Sequence, residues 1–541
     1  HAEILQTIDD FASCAARARE AGYDGVEIMG SEGYLINQFI ALHTNNREDE
    51  WGGSYENRIR FPLAVIKAVR AKAGQDFIIV YRLSMLDLVD QGSIIGEVVE
   101  LGQKAVAAGA NIINTGIGWH EARVPTIAMS VPRGVFTWVT RQIKAHIDAP
   151  VVTSNRINTP EFAEAVLARG DADMISMARP FLADSHFMAK AAVAKPREIN
   201  TCVACNQACL DHAFEGKVVS CLVNPRACYE TEIVLQAAAE PKKLAVVGAG
   251  PAGLAFAVSA AERGHNVTLF EAGGRIGGLL NIAKEIPGKA EFNELIRYYQ
   301  VMLEKTGVQL ELNQKITAAA MRESDFDAVI VATGVRPRNP GIKGMDNNDK
   351  VLFYDDLVSN RRILGPTVAV IGGGGIGHDI AEYLSASDET THSDPARFAA
   401  AWGIDQSLQT PGGLTGAEKH PPAARQIRMF KRSKGKFGAN LGKTTGWIHR
   451  LALKHANVEQ TPGVSYEAVT ADGLEIKVKD TVKTVACDHI VICAGQESVR
   501  DLYDELKDTG RAVHLIGGAD VAAEIDAYRA IRQATILASE I

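Results

Sequence analysis

Short apolar runs alternate with longer amphipathic stretches along the first 195 residues. The runs are Gly25–Gly30 (GVEIMG), Phe77–Leu83 (FIIVYRL), Asn111–Thr115 (NIINT), Val151–Thr153 and Met174–Met177, and the first amphipathic stretch is Ile4–Ala21. Runs this rich in β-branched residues predict parallel strands covered by helices, in a barrel or an open sheet. Glycines and polar residues gather just after each run, where barrel active sites are built. From 196 to 235 the periodicity weakens and Cys and Asn dominate; a different pattern starts at Lys242.

That second pattern contains two strand-turn-helix units. The first reads Lys243-Leu-Ala-Val-Val-Gly248-Ala249-Gly250-Pro-Ala-Gly253, the second Val368-Ala-Val-Ile-Gly372-Gly-Gly374-Gly-Ile-Gly377. Each G-x-G-x-x-G follows an apolar strand and opens a helix, the context in which glycines let the backbone approach a pyrophosphate at a helix N-terminus. The next strand after the first motif ends at Glu271, 23 positions past Gly248, where a carboxylate suits a ribose diol and so FAD or NAD. After the second motif, a polar insertion from about Ser385 to Arg425 delays the matching strand, Gln426-Ile-Arg-Met-Phe. That strand ends in Lys431-Arg432-Ser433-Lys434 without an acid, which favours a 2′-phosphate and hence NADPH. Later returns at Ala332-Thr-Gly334, Ala494-Gly495 and Gly517-Gly-Ala-Asp520 resemble those of paired-nucleotide flavoproteins. One nucleotide domain is therefore expected to interrupt the other, which resumes near residue 488.

Composition narrows the class. At 541 residues and roughly 150 per domain, three or four domains are expected. Lys and Arg number 57 against 65 Asp and Glu, a net charge of -8, which argues against a broad nucleic-acid surface. A hydrophobic share of 46% is ordinary for folded protein. The one uncharged stretch of membrane length, Leu244–Ala261, contains Gly248, Gly250, Pro251 and Gly253 and reads as a buried strand, turn and helix. With eight cysteines in so long a chain, ligand thiols in a reducing, cytoplasmic setting are expected rather than disulfides. Cys202, Cys205, Cys209 and Cys221 form C-x2-C-x3-C-x11-C, a spacing that suits a 4Fe-4S cluster better than a structural zinc site; Cys228 is one too many and is read as a non-ligand.

Several segments then carry a family resemblance. Glu27-Ile-Met-Gly-Ser-Glu-Gly-Tyr34-Leu-Ile-Asn-Gln-Phe39, Asn46-Arg-Glu-Asp49-Glu-Trp51-Gly-Gly-Ser54 and Glu56-Asn-Arg58 resemble the old yellow enzyme superfamily. The cysteine cluster and paired nucleotide domains narrow this to its trimethylamine dehydrogenase branch. Tyr81-Arg-Leu-Ser-Met-Leu-Asp87, Asn114-Thr-Gly-Ile-Gly-Trp-His120-Glu-Ala-Arg123 and Leu441-Gly-Lys-Thr-Thr-Gly-Trp-Ile-His449 are similar to the bacterial 2,4-dienoyl-CoA reductases of that branch. The resemblance spans essentially the whole chain. It implies an α/β protein: the C-terminal part of an FMN-binding TIM barrel (1–195, strands four to eight), an iron-sulfur segment (196–235), an FAD domain (242–365 and 488–541) and an NADPH domain (366–487).

By this resemblance electrons pass from NADPH to FAD, the cluster and FMN, and then to a dienoyl-CoA thioester. Tyr34 is the expected proton donor, assisted by His120. Arg82, Asn155, Arg156, Ala178 and Arg179 are expected around FMN, with Arg82 beside the pyrimidine of the reduced flavin and the others at its phosphate. Ion pairing that closes the barrel is the alternative for Arg156 and Arg179. Gly248, Ala249, Gly250, Gly253, Glu271, Gly278 and Asp520 are assigned to FAD, and Gly372, Gly374, Gly377, Lys431 and Arg432 to NADPH. Glu121, Ala122, Arg123 and Val124 are expected to line the substrate side, and Arg47, Asp49 and Arg58 to form a structural loop network. In such barrels Gly25–Gly30 is the fourth strand, so the chain reads as N-terminally truncated by about three βα units. Other enoate reductases or amine dehydrogenases of the branch, and a truncated electron-transfer module with a dead barrel, are alternatives. The oligomeric state is not legible.

Overall fold

The computed structural model describes residues 1–387, 392–523 and 526–541. They divide into two compact units, one of His1–Ala178 with Thr391–Pro421, the other of Arg179–Thr390 with Pro422–Ile541.

The sheet of the first unit has five parallel strands in sequential order: β1 (Gly25–Gly30), β2 (Ile78–Leu86), β3 (Ile112–Ile117), β4 (Val151–Thr153) and β5 (Met174–Ile175). β2 continues past the expected Leu83 because its backbone stays paired to β3 as far as Leu86 opposite Ile117, across a register shift between Ser84 and Leu86. β5 stops early: the pairing of β4 with β5 ends at Thr153 opposite Ile175. Helix Ala2–Glu20 buries Ile4, Ile8, Ala12 and Ala15, the one-sided stripe of an amphipathic helix.

The polar insertion, expected as part of the second nucleotide module, belongs to the first unit instead. Residues 388–391 of it lie outside the described residues. Helix Pro395–Ala401 is capped by the Asp394 carboxylate and buries Phe398, whose ring meets Phe136 edge-on at 6.3 Å. Gly412 accepts from the Leu88 N–H at 2.9 Å and donates to the Ser93 carbonyl at 3.1 Å, and Ile95 N–H donates to Leu408 at 2.9 Å. Phe398, Ala399, Ile404 and Leu408 are buried. The insertion is polar by composition, but its larger apolar residues Phe398, Ile404 and Leu408 are buried.

The second unit contains two five-stranded parallel sheets. The first has the order Ala512–Leu515, β9 (Ala328–Val331), β6 (Lys243–Val247), β7 (Asn266–Phe270) and β8 (Gln309–Glu311). The other runs Val351–Phe353, His489–Ile492, Thr367–Ile371, Gln426–Lys431 and Glu459–Pro462. His489–Ile492 thus pairs with Thr367–Ile371 rather than opening the return of the first module, and Val351–Phe353 also belongs to the second sheet. The crossovers lie at an antiparallel pair, Val335–Pro337 with Gln496–Ser498, not at 365 and 488. Both apolar runs before the glycine returns, AVIVATG and HIVICAG, look alike in sequence, so only pairing separates them. No helix among the described residues is long and apolar enough to cross a membrane.

Candidate active site and cofactor sites

In the first unit, Tyr34 and His120 come together from the loops after β1 and β3. The Tyr34 hydroxyl and His120 Nε2 are 2.9 Å apart, with their rings edge-on at 5.2 Å, and both side chains reach solvent. The loops meet because Gly33, at φ 80°, leaves room for the Trp119 indole: a Cβ there would lie 2.8 Å from it. A phenol hydrogen-bonded to an imidazole at a strand-end cleft can deliver a proton and recover one through the ring.

Arg82, on β2, is shared by two carboxylates: its Nε lies 3.2 Å from Glu32 and its NH1 3.4 Å from Glu27, whose other oxygen accepts from Asn114 Nδ2 at 2.7 Å. Burial pushes the Glu32 carboxyl above its usual range against the opposing pull of Arg82. Glu32 is the residue that sequence reasoning passed over; the only signal was an acid two positions before Tyr34. Asn155 and Arg156 follow β4 in left-handed backbone, φ 70° and 56°, a conformation that non-glycine residues keep mostly at functional turns. Arg156 is buried and donates to the Val131 carbonyl at 2.8 Å. The turn offers the cation and backbone that a flavin phosphate needs. Glu121 and Arg123 are exposed, while Val124 is buried and Ala122 packs with Ala41, Val89 and Trp119. The loop network is as expected: Arg47 pairs with Asp49, and buried Arg58 pairs with Glu97 at 2.8 Å.

Arg179 has other partners in its own unit. It belongs to the second unit, donates to Asn206 at 2.5 Å and lines a small pocket with Cys202, Cys205, Cys209 and Cys221; Ala178 is exposed at the end of the first unit. Burial, reinforced by the neighbouring cysteines, raises the Cys205 and Cys221 thiols, the latter to about 12. Burial also raises the Cys209 thiol, so thiolates at these three positions need a multivalent cationic group beside them. The donor set fits an iron-sulfur cluster. Cys228 is exposed and outside the pocket.

The first glycine turn is closely built. A Cβ on Gly253 would lie 1.9 Å from the Gly248 carbonyl, and one on Gly278 2.9 Å from Gly250 Cα. Glu271 accepts from the Ala249 and Gly273 N–H groups, both at 2.8 Å, so its carboxylate sits over the turn. Asp520 accepts from Gln533, midway along helix Ala527–Glu540, at 2.8 Å. In the second turn a Cβ on Gly377 would lie 2.3 Å from the Gly372 carbonyl, and Gly374 caps helix Gly375–Ser385. Lys431 reaches over it, its Cδ 2.8 Å from where a Gly373 Cβ would be, while Arg432 stacks on Tyr466. Both turns keep open helix N-termini suited to pyrophosphates.

The NADH:flavin oxidoreductase / NADH oxidase model matches residues 1–198, and the pyridine nucleotide-disulphide oxidoreductase model residues 242–523. The metal reductase of Desulforamulus reducens is 35% identical over 96% of this chain and 77% of its own length. The chain belongs to the NADH:flavin oxidoreductase / NADH oxidase family, joined to a pyridine nucleotide-disulphide oxidoreductase domain. This flavin oxidoreductase is also similar to the cinnamate reductase of Clostridium sporogenes, 34% identical over 97% of this chain and 76% of that one. A solved 2-naphthoyl-CoA reductase complex aligns over 100% of this chain and 76% of its own, with TM-score 0.89 and 29% identity. Its two domains make the flavin oxidoreductase a protein that binds FMN, FAD and NAD(P).

Proposed function

We propose that this flavin oxidoreductase reduces 2,4-dienoyl-CoA to enoyl-CoA with NADPH, in the cytoplasmic degradation of unsaturated fatty acids. The observation that carries the reading is the Tyr34 and His120 pair, 2.9 Å apart at the strand ends of the FMN domain. Similarity to a cinnamate reductase and to a 2-naphthoyl-CoA reductase supports a conjugated carbonyl substrate, in the second case a CoA thioester.

When bound, FMN, FAD and a 4Fe-4S cluster on Cys202, Cys205, Cys209 and Cys221 supply the hydride and single-electron chemistry between NADPH and substrate. One turnover consumes NADPH and a proton and yields NADP⁺ and enoyl-CoA. Hydride addition at the distal carbon of the diene leaves a dienolate, and the Tyr34 hydroxyl gives it a proton while His120 Nε2 holds the phenolic oxygen and recovers the proton from solvent. Arg82 offers positive charge where negative charge develops. Asn155 and Arg156 hold the FMN phosphate, with Ala178 and Arg179 assigned beside them; Gly248, Ala249, Gly250, Gly253, Glu271, Gly278 and Asp520 hold FAD. Gly372, Gly374, Gly377, Lys431 and Arg432 hold NADPH, and Glu121 to Val124 line the thioester.

The test is NADPH-dependent loss of dienoyl-CoA absorbance, run against a free enoate and an amine. Faster turnover of either competitor rejects the dienoyl reading in favour of another member of the branch. Reduction of a dye without any of the three marks an electron-transfer module.

A further inference from the structure

Asp87 is only 1% exposed and makes no ion pair among the described residues, and two of its hydrogen-bond donors, Asn37 and Trp119, lie beside Tyr34 and His120. Its Oδ1 accepts from Trp119 Nε1 at 2.9 Å, from Ser84 Oγ at 2.6 Å and from Asn37 Nδ2 at 3.3 Å; its Oδ2 accepts from the Ser93 N–H at 2.7 Å. Trp119 immediately precedes His120, and its backbone N–H also donates to the Asp87 carbonyl at 3.0 Å. On the other side, Asn37 Oδ1 accepts from the Gly33 N–H at 3.0 Å, one residue before Tyr34. One carboxylate therefore ties both halves of the proton-donating pair to the end of β2.

The loop that carries this carboxylate is itself braced. A Cβ on Gly92 would lie 2.8 Å from both Asp87 Cβ and Gly412 Cα, and one on Gly412 would lie 1.8 Å from the Val89 carbonyl. The inserted segment thus presses a bare backbone against the 88–93 loop, and the hydrogen bonds from Leu88 and to Ser93 fix it there.

We propose that Asp87 is a positioning residue that sets the Tyr34 to His120 separation, and that residues 392–421 brace it through Gly412. The inference rests on the reading of Tyr34 and His120 as the proton-donating pair. Four donors converge on Asp87, so Asp87→Asn keeps the shape but turns one of them, the Ser93 N–H or the Oδ1 group, against an NH₂. Displacement of an aligned group by about 1 Å can cost 10²-fold in rate. The expected result for Asp87→Asn is a fall in kcat for thioester reduction of about ten- to a hundredfold with KM within about twofold. NADPH-to-dye reduction should fall far less. In a Tyr34→Phe background the same substitution should add little further loss, because the step it serves is already gone. Gly412→Ala should shift the rates the same way without altering the carboxylate.

Equal losses in the dye and thioester assays, or a full additional loss in the Tyr34→Phe background, would overturn the proposal. A crystal structure of Asp87→Asn decides the placement without any substrate: a Tyr34 to His120 separation still at 2.9 Å with Trp119 unmoved refutes it. If the protein reduces no thioester at all, the function is wrong, while the crystallographic result still judges Asp87.

Discussion

Tyr34→Phe keeps the ring and removes the proton, so thioester reduction should fall by about 10²- to 10⁴-fold, the usual worth of a positioned acid. Stopped-flow comparison with dye reduction checks this, and equal losses contradict the role. At the second glycine turn, Arg432→Ala removes the cation proposed for a 2′-phosphate. KM for NADPH should rise about ten- to a hundredfold, from 1.5–3 kcal/mol of charge-assisted hydrogen bonding, while KM for NADH barely moves. A third residue effect concerns pH. Glu382, 2.7 Å from His449 Nδ1, raises the His449 pKa above 6.5, outweighing burial. Because the folded pKa is the higher one, the pair's stabilisation is complete below the unfolded pKa of about 6.5 and is lost as pH rises through the folded value. The melting-temperature deficit of His449→Gln, set by about 2 kcal/mol, should therefore be largest near pH 6 and shrink in alkaline buffer. A deficit that grows with pH contradicts the pairing. At this scale the resemblance pointed to Tyr34 and His120, which the structure brings to 2.9 Å, and spacing pointed to the four cysteines, which line one pocket. Asp87 and Glu32 were not legible as site residues because burial and partners 32 to 50 positions away, Trp119, Asn37 and Arg82, give them their roles.

Among the elements, strand cores were readable and strand ends were not. GVEIMG is β1 as expected, since glycines bound an apolar run. β2 overran its expectation because Ser84 interrupts the apolar run, while ladder pairing, which is blind to side chains, continues to Leu86. His489–Ile492 was assigned to the wrong sheet because two parallel strands of like composition offer no pairing signal. The glycine turns were legible for the opposite reason: close approach permits no other residue. Gly253→Ala puts a Cβ 1.9 Å from a backbone oxygen, which cannot rotate away. Helix Pro251–Glu262 would have to shift, at about 1–3 kcal/mol, and purified protein should lose FAD before FMN. Unchanged FAD content in a flavin assay would show that the turn does not hold it.

For the molecule as a whole, metal content is the sharpest measurement. About four iron and four sulfide per chain are expected. Cys221→Ser should lower both, and Cys228→Ser should leave them unaltered; zinc in place of iron would refute the cluster. The two-unit division was hidden in the sequence, because the insertion at 392–421 is joined in sequence to one unit and packed in the other.

That arrangement has a consequence for synthesis. Residues 1–178 leave the ribosome roughly 210 residues before the segment that completes their unit. At about 5–20 residues per second the wait is on the order of 10–40 s, long compared with helix and loop formation. The loop carrying Asp87 and the apolar faces later covered by Phe398 and Leu408 stay open through that interval, an exposure that slower translation lengthens. A fragment ending before residue 392 should bind holdases and aggregate, whereas supplying 392–421 as a separate peptide should restore its solubility.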